Sequence, residues 1–84
     1  MNREDIMAQV VAVVVEKLHV PTQEVLPTAH FANNLGADSL DQVELIMELE
    51  KKFNVYIKDD EATNLQTVGS VVSYLEEVLT QRKA

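Results

Sequence analysis

Residues 35–45 have the sequence LGADSLDQVEL and place Ser39 at the start of an acidic, amphipathic helical segment. At a helix N-terminus, unpaired backbone N–H groups and the positive end of the helix dipole both favour anionic oxygen atoms. A hydroxyl at this position can therefore carry a phosphoester. The chain offers few other groups with which to do chemistry, so the segment predicts that Ser39 is a point of attachment and not a catalytic residue.

The local sequence leaves two possible starts for this helix. Residues 39–42 fit an S-x-x-Q capping box, in which the Ser39 hydroxyl accepts a backbone N–H and Gln42 completes the box. Asp38 is an equally good N-cap residue. In the first case the Ser39 hydroxyl is part of the local structure. In the second case Ser39 is the first helical residue and its hydroxyl is free.

The predicted helix over residues 39–53 carries apolar residues on two faces. At about 100° per residue, one face spans about 100° of arc, the width of an ordinary core face. This core face consists of Leu45, Ile46, Leu49 and Phe53. A second group, which we call the outer stripe, lies about 160–220° from Leu45. It consists of Leu40, Val43 and Met47, and the carboxylates of Asp41, Glu44, Glu48 and Glu50 border it.

The outer stripe has two possible roles. If it packs under a loop or a short helix, it belongs to the core. If it is exposed, it is a docking surface on which a partner protein places an apolar ridge while the partner's Lys and Arg side chains meet the carboxylates. Each exposed ion pair contributes only about 0.2–1 kcal/mol, so several must act together.

The remaining segments predict an all-α fold. A first helix begins at an Asn2 cap and continues to Leu18, and it is preferred over a strand at residues 10–15 because no pairing strand lies nearby. Residues 19–38 form a long first loop, which is uncommon unless it holds a helical turn or contributes to a site. Its predicted core anchors are Val25, Leu26, Phe31 and Leu35. A short acidic turn or helix lies around residues 59–64, and a last helix follows the Thr67 cap. We expect residues 1–84 to form one domain, a small four-helix bundle with three main helices and one short helix.

The charge of the chain disfavours several classes of partner. Fourteen acidic residues against seven basic ones give a formal net charge of −7. This charge repels nucleic-acid phosphates and anionic lipid headgroups and favours partners with basic patches. The apolar run at residues 10–15 is too short to span a membrane, and no basic leader precedes it. We therefore expect a cytoplasmic monomer that binds neither nucleic acid nor membranes.

Few residues are suited to metal binding or catalysis. The chain has no Cys, so disulfides and thiolate metal sites are excluded. His19 and His30 lie outside any ligand-like spacing, and residues 59–61 lack the alternating ligands of a calcium loop. No Gly-x-Ser-x-Gly elbow surrounds Ser39, and its neighbours are acids instead of a histidine base. We expect no metal site and no catalytic residue.

The segment around Ser39 closely resembles the prosthetic-group attachment motif of bacterial acyl carrier proteins, the type II phosphopantetheine-dependent carriers. The matching residues are Leu35-Gly36-Ala37-Asp38-Ser39-Leu40-Asp41, followed by Val43-Glu44-Leu45. The resemblance extends over nearly the whole chain and includes Leu18, Val20, Val25, Phe31, Met47, Leu49, Phe53, Ile57 and Thr67-Val68-Gly69. The full combination is highly specific, whereas Asp-Ser-Leu alone would not be.

The resemblance implies a carrier that presents bound substrates to separate enzymes and is not itself an enzyme. A phosphopantetheinyl transferase would attach a 4′-phosphopantetheine arm from coenzyme A to Ser39. The thiol of the arm would hold acyl groups as thioesters, and the acyl chain would be sheltered between the helices. Acyl-transfer, condensing and reducing enzymes with basic docking patches would be the partners, with fatty acid biosynthesis as the expected pathway. The family's partner surface falls on Asp38, Leu40, Asp41, Val43, Glu44, Met47, Glu48 and Glu50.

Two departures from the family pattern keep alternatives open. Lys51 and Lys52 stand where fatty-acid carriers often continue with acids, and Asn33-Asn34 replaces the usual acidic pair before Leu35. A polyketide, peptidyl or D-alanyl carrier is the nearest alternative. An unmodified acidic protein-interaction module is the alternative from a different class.

Added salt is expected to stabilise the fold, because it screens repulsion among the surplus carboxylates. The melting temperature should rise between about 0.01 and about 0.15 M salt, as the screening length falls from about 30 to about 8 Å. Thermal unfolding followed by circular dichroism measures it. A melting temperature that is flat or falls over this interval would contradict the expectation.

Overall fold

The structure is a computed structural model that describes residues 2–81. In chain order its elements are α1 (Arg3–Leu18), a 3₁₀ turn (Thr22–Glu24), α2 (Ser39–Phe53), α3 (Asp59–Ala62) and α4 (Val68–Gln81). The described residues contain no β-strand, only an isolated bridge between His30 and Thr67. The predicted all-α bundle with three main helices and one short helix is confirmed.

Helix α1 is the central helix, and α2 and α4 both pack against it. Its N-cap is Asn2, whose side chain accepts the Asp5 N–H at 2.8 Å. The β-branched run lowers helix propensity slightly, because Val and Ile are restricted to one preferred rotamer in a helix. Burial of Ile6, Val10, Val13 and Val14 outweighs that cost. Tertiary packing therefore stabilises α1 as the helix that the spacing of its apolar residues predicts.

The core is entirely apolar in the described part of the chain, since no polar or charged side chain there is buried. The helices contribute most of it, and the long first loop contributes Val25, Ala29, Phe31, Leu35 and Ala37. Phe31 is the largest fully buried side chain, with only 1% of its surface exposed. A loop that supplies this residue is part of the fold and not only a connection.

The predicted core anchors of the long first loop are confirmed at Val25, Phe31 and Leu35, but the prediction is wrong for Leu26, which is 54% exposed. The loop contains a 3₁₀ turn at Thr22–Glu24, as its length suggested. Val25 leaves that turn and takes the inward position. Leu26, the next residue, faces solvent instead.

Three backbone hydrogen bonds join the long first loop to the start of α4. Phe31 N–H donates to Gln66 O at 2.9 Å, Val68 N–H to Ala29 O at 3.0 Å, and Gly69 N–H to Pro27 O at 2.8 Å. The predicted Thr67 cap is confirmed, because Ser70 N–H donates to Thr67 Oγ1 at 3.2 Å. The loop and α4 therefore position each other.

Gly69 allows the long first loop to approach α4 closely. It lies in the first turn of α4, with its backbone against Pro27. A Cβ atom at this position would lie 2.8 Å from Pro27 O, closer than real side chains approach. The close packing of the loop on α4 therefore depends on the missing side chain.

Gly69→Ala is expected to lower the free energy of unfolding by about 1–3 kcal/mol, because the added methyl group overpacks the contact with Pro27. A loss of stability would point to the contact with Pro27, since Ala is otherwise about 1 kcal/mol more favourable than Gly in a helix interior. Urea unfolding measures the change. Ser73→Ala, on the exposed side of the same helix, is the control and should change stability by less than about 0.5 kcal/mol. A Gly69→Ala variant as stable as the parent would refute the close contact.

Candidate functional site

Asp38, and not Ser39, is the N-cap of α2. Asp38 Oδ1 accepts the Asp41 N–H at 2.8 Å, and Asp41 Oδ2 accepts the Asp38 N–H at 3.2 Å. These two bonds form a reciprocal capping box. The box uses Asp41 at the position three residues after the cap, so Gln42 takes no part in it. Of the two helix starts that the sequence left open, the structure has the one that frees Ser39.

Ser39 is therefore the first residue of α2, and its side chain is exposed. Within residues 2–81 its hydroxyl makes no hydrogen bond. The N–H groups of Ser39 and Leu40 also have no backbone acceptor in that range. A hydroxyl oxygen and two free N–H donors thus meet at the positive end of the helix dipole, which suits an anionic ester.

A cleft of about 530 Å³ begins at Ser39 and lies between α2 and the segment from Tyr56 to Gln66. Its walls are Phe31, Val43, Leu45, Ile46, Met47, Ile57, Ala62 and Leu65, with Ser39, Gln42, Glu50, Tyr56, Asp59, Thr63 and Gln66 among them. The cleft is partly open to solvent and has the size of a small-molecule site. An apolar group attached near Ser39 could leave water by entering it.

Glu50 connects α2 to the far side of the cleft. Its Oε2 atom accepts the Ile57 N–H at 2.8 Å. The Ile57 side chain is buried and also lines the cleft. Because a carboxylate accepts a backbone N–H strongly, this bond sets the distance between α2 and the connector that follows it.

The outer stripe is exposed. Leu40 is 64% exposed, and Val43 and Met47 are each 55% exposed. The alternative in which these residues pack under the long first loop or the short helix is therefore wrong. Val43 and Met47 also form one edge of the cleft. The stripe is available to a partner and adjoins the place where a ligand would enter.

The carboxylates that border the outer stripe differ in their surroundings. Glu44 is exposed and has no hydrogen bond or ion pair within residues 2–81. Glu48 lies 3.7 Å from Lys17 Nζ, and both side chains are about a third exposed. Asp41 is held in the capping box, and Glu50 holds Ile57. Glu44 is thus the carboxylate on this edge with no internal partner.

Comparison with known proteins agrees with this geometry. A family described as the phosphopantetheine attachment site matches residues 8–75. An acyl carrier protein of Karelsulcia muelleri is 44% identical over 80 residues, which are 95% of this chain and 96% of the relative. An acyl carrier protein of Porphyromonas gingivalis is 48% identical over 75 residues, 89% of this chain and 96% of the relative. This chain belongs to the acyl carrier protein family. Such a protein carries acyl groups on phosphopantetheine and serves as a carrier and not as a catalyst.

The structure of this carrier brings together most of the residues that the sequence predicted. Leu40, Val43, Met47 and Glu44 share one exposed face beside Ser39. The sequence did not predict the far wall of the cleft, because the residues that form it show no helical periodicity. These residues are Tyr56, Ile57, Ala62 and Leu65. The signal that could have found it is the isolated apolar residues Ile57 and Leu65 in a polar segment.

The departure at residues 33–34 has a structural role in this carrier. Asn34 Oδ1 accepts the His30 N–H at 2.7 Å, and Asn33 N–H donates to His30 Nδ1 at 3.3 Å. These bonds shape the turn that leads to Leu35. In the described part of the chain, no group of three or more His, Cys, Asp or Glu side chains could hold a metal ion. No helix in that range is long and apolar enough to cross a membrane.

Glu50→Ala is expected to lower the free energy of unfolding by about 1–3 kcal/mol, because it leaves the Ile57 N–H without its acceptor. Glu50→Gln keeps a side-chain oxygen at the same reach and should retain most of that stability. Glu44→Ala makes the same chemical change at an unpaired site on the same helix and should stay within about 0.5 kcal/mol of the parent. Urea unfolding compares the three, and equal effects at residues 44 and 50 would contradict the role of Glu50.

Proposed function

We propose that Ser39 carries the 4′-phosphopantetheine arm and that this protein holds acyl intermediates of fatty acid biosynthesis. The observation that carries the proposal is the exposed, unpaired Ser39 hydroxyl beside a completed capping box. When bound, the arm supplies a terminal thiol that holds acyl groups as thioesters, a function for which the chain has no Cys of its own.

The residues around Ser39 have separate tasks in this proposal. The Ser39 oxygen would form the phosphoester bond to the arm as the pyrophosphate bond of coenzyme A breaks and adenosine 3′,5′-bisphosphate leaves. The free N–H groups of Ser39 and Leu40 would stabilise the charge of the attached phosphate. Asp38 and Asp41 accept each other's backbone N–H groups, so we assign them positioning and not acid–base chemistry. We propose that the transferase supplies the base that takes the hydroxyl proton during attachment, because both carboxylates beside Ser39 take part in the capping box.

The cleft beside Ser39 is proposed to shelter the acyl chain. Most of its walls are apolar, and Ser39 lies at its edge, within reach of a flexible arm. Aliphatic and small side chains such as Ile46, Ala62 and Leu65 line it, and a hydrocarbon chain in contact with them leaves water. This lining favours acyl groups over aminoacyl or D-alanyl groups, which carry a charged amine.

The outer stripe is proposed as the docking surface for partner enzymes. These are a phosphopantetheinyl transferase and the acyl-transfer, condensing and reducing enzymes, with basic residues that meet the carboxylates. The proposed docking residues are Asp38, Leu40, Asp41, Val43, Glu44, Met47, Glu48 and Glu50. We further propose that the chain acts as a cytoplasmic monomer with a single carrier domain at residues 1–84, since an exposed stripe must stay free for a succession of partners.

Incubation with coenzyme A and a phosphopantetheinyl transferase is expected to add one arm to the protein. Intact-protein mass spectrometry should show a single adduct on the parent chain and none on Ser39→Ala. Ser73→Ala is the matched control, because Ser73 is also exposed and without a hydrogen bond in the described residues but lies inside α4. This variant should be modified like the parent.

The outcomes of that experiment separate the alternatives. An adduct that persists on Ser39→Ala would overturn the assignment of Ser39. A parent chain that is never modified would favour the unmodified acidic interaction module. Loading of the modified protein with malonyl, longer acyl, aminoacyl or D-alanyl groups by dedicated enzymes then distinguishes the fatty acid role from polyketide, peptidyl and D-alanyl carriers.

A further inference from the structure

The charged side chains of α2 change from negative to positive along the helix. The last carboxylate of α2 is that of Glu50, and Lys51 and Lys52 follow it, both exposed. Neither lysine forms an ion pair within residues 2–81. The helix therefore presents two uncompensated positive charges at the end opposite Ser39.

The two lysines point in different directions. With Leu45 at zero, Lys51 lies at about 240°, about 40° from Met47 and about 20° from Glu44. Lys51 therefore continues the line of the outer stripe. Lys52 lies at about 340°, about 100° away from Lys51 and near the border of the core face.

The helix dipole explains only part of this arrangement. Cations in the last turn of a helix are stabilised by its negative end, and this applies equally to Lys51 and Lys52. The stabilisation that the dipole gives to a cation does not depend on the face of the helix that carries it. A specific effect of Lys51 on a partner would therefore come from its place on the outer stripe.

Glu44 and Lys51, the two charges that border the outer stripe without a partner among the described residues, lie far apart along the helix. Glu44 and Lys51 are seven residues apart, which is about 10 Å along the axis. The screening length at physiological ionic strength is about 8 Å. Glu48 lies between them, but its carboxylate is 3.7 Å from Lys17 Nζ. A partner surface thus meets Glu44 and Lys51 as separate charges, and a uniformly basic surface would be repelled at Lys51.

We propose that the partner enzymes of this carrier have a bipolar docking site. It places a basic residue opposite Glu44, an apolar ridge on Leu40, Val43 and Met47, and an acidic residue about 10 Å further along, opposite Lys51. This proposal rests on the proposed function and specifies its partners. The acidic residue fixes the direction in which α2 lies on the enzyme and discriminates against enzymes that are basic along the whole site.

Charge reversal at the two lysines tests the proposal. The probe is the malonyl-transferring enzyme encoded in the same genome, titrated with the unmodified carrier so that binding does not depend on the arm. Lys51→Glu is expected to weaken binding about three- to tenfold at low salt, and the loss should shrink at high salt. Lys52→Glu makes the same charge change in the same turn and should alter binding less than about twofold. Thermal unfolding should show similar small losses of stability for both variants, because both lysines face the same helix dipole.

The possible results are distinguishable from a failure of the proposed function. Equal effects of the two variants, no effect, or tighter binding by Lys51→Glu would overturn the bipolar site, as would a parent chain that does not bind the enzyme. Attachment of the arm to Ser39 is measured separately by mass. A carrier that accepts the arm but shows no special role for Lys51 refutes this inference alone.

Discussion

The structure around Ser39 depends on the reciprocal hydrogen bonds between Asp38 and Asp41. These bonds fix the residue at which α2 begins, so the next hydroxyl is left exposed at the positive end of the helix. The box therefore leaves the proposed attachment point free, whereas the core face and the outer stripe follow from the spacing of the apolar residues along α2.

The rest of the bundle keeps this arrangement in place. Helix α1 supports α2 and α4 together, and Phe31 fills the centre from the long first loop. The loop is in turn held against α4 through Gly69. On the other side, the bond from Ile57 to Glu50 keeps the connector near α2 and leaves the cleft between them. The cleft and the outer stripe thus adjoin at Val43 and Met47. We propose that the acyl chain enters the cleft and that partner enzymes bind the stripe.

Much of this could be predicted from the sequence, because strong periodicity and good caps are local signals. The bounds of α2 and the Thr67 cap follow from such signals, and so do the two faces of α2. The choice between the two caps does not, because Ser39 and Asp38 are both good N-cap residues and only the geometry of Asp41 decides between them. The exposure of the outer stripe also required the structure, since a helical period does not say what lies against each face.

The residues whose positions were predicted wrongly, or not at all, lie mostly in segments without helical periodicity. Leu26 was assigned to the core because it is apolar, but Val25 beside it takes the inward position. The need for Gly69 arises from Pro27, which is more than 40 residues away in the chain. The far wall of the cleft is likewise assembled from residues that only the tertiary fold brings to α2. Such long-range contacts carry no local sequence signature.

Hydrogen exchange at the Asp41 amide, followed by NMR before and after attachment of the arm, tests the central claim that cap and attachment point are different residues. The Leu40 amide, which has no backbone acceptor in the described residues, is the internal reference. Before attachment we expect the Asp41 amide to exchange more slowly than the Leu40 amide, and after attachment we expect the Asp41 amide to keep its slow rate, because the Asp38 carboxylate accepts its N–H in both states. Equal exchange at the two amides before attachment, or loss of Asp41 protection on attachment, would contradict the account.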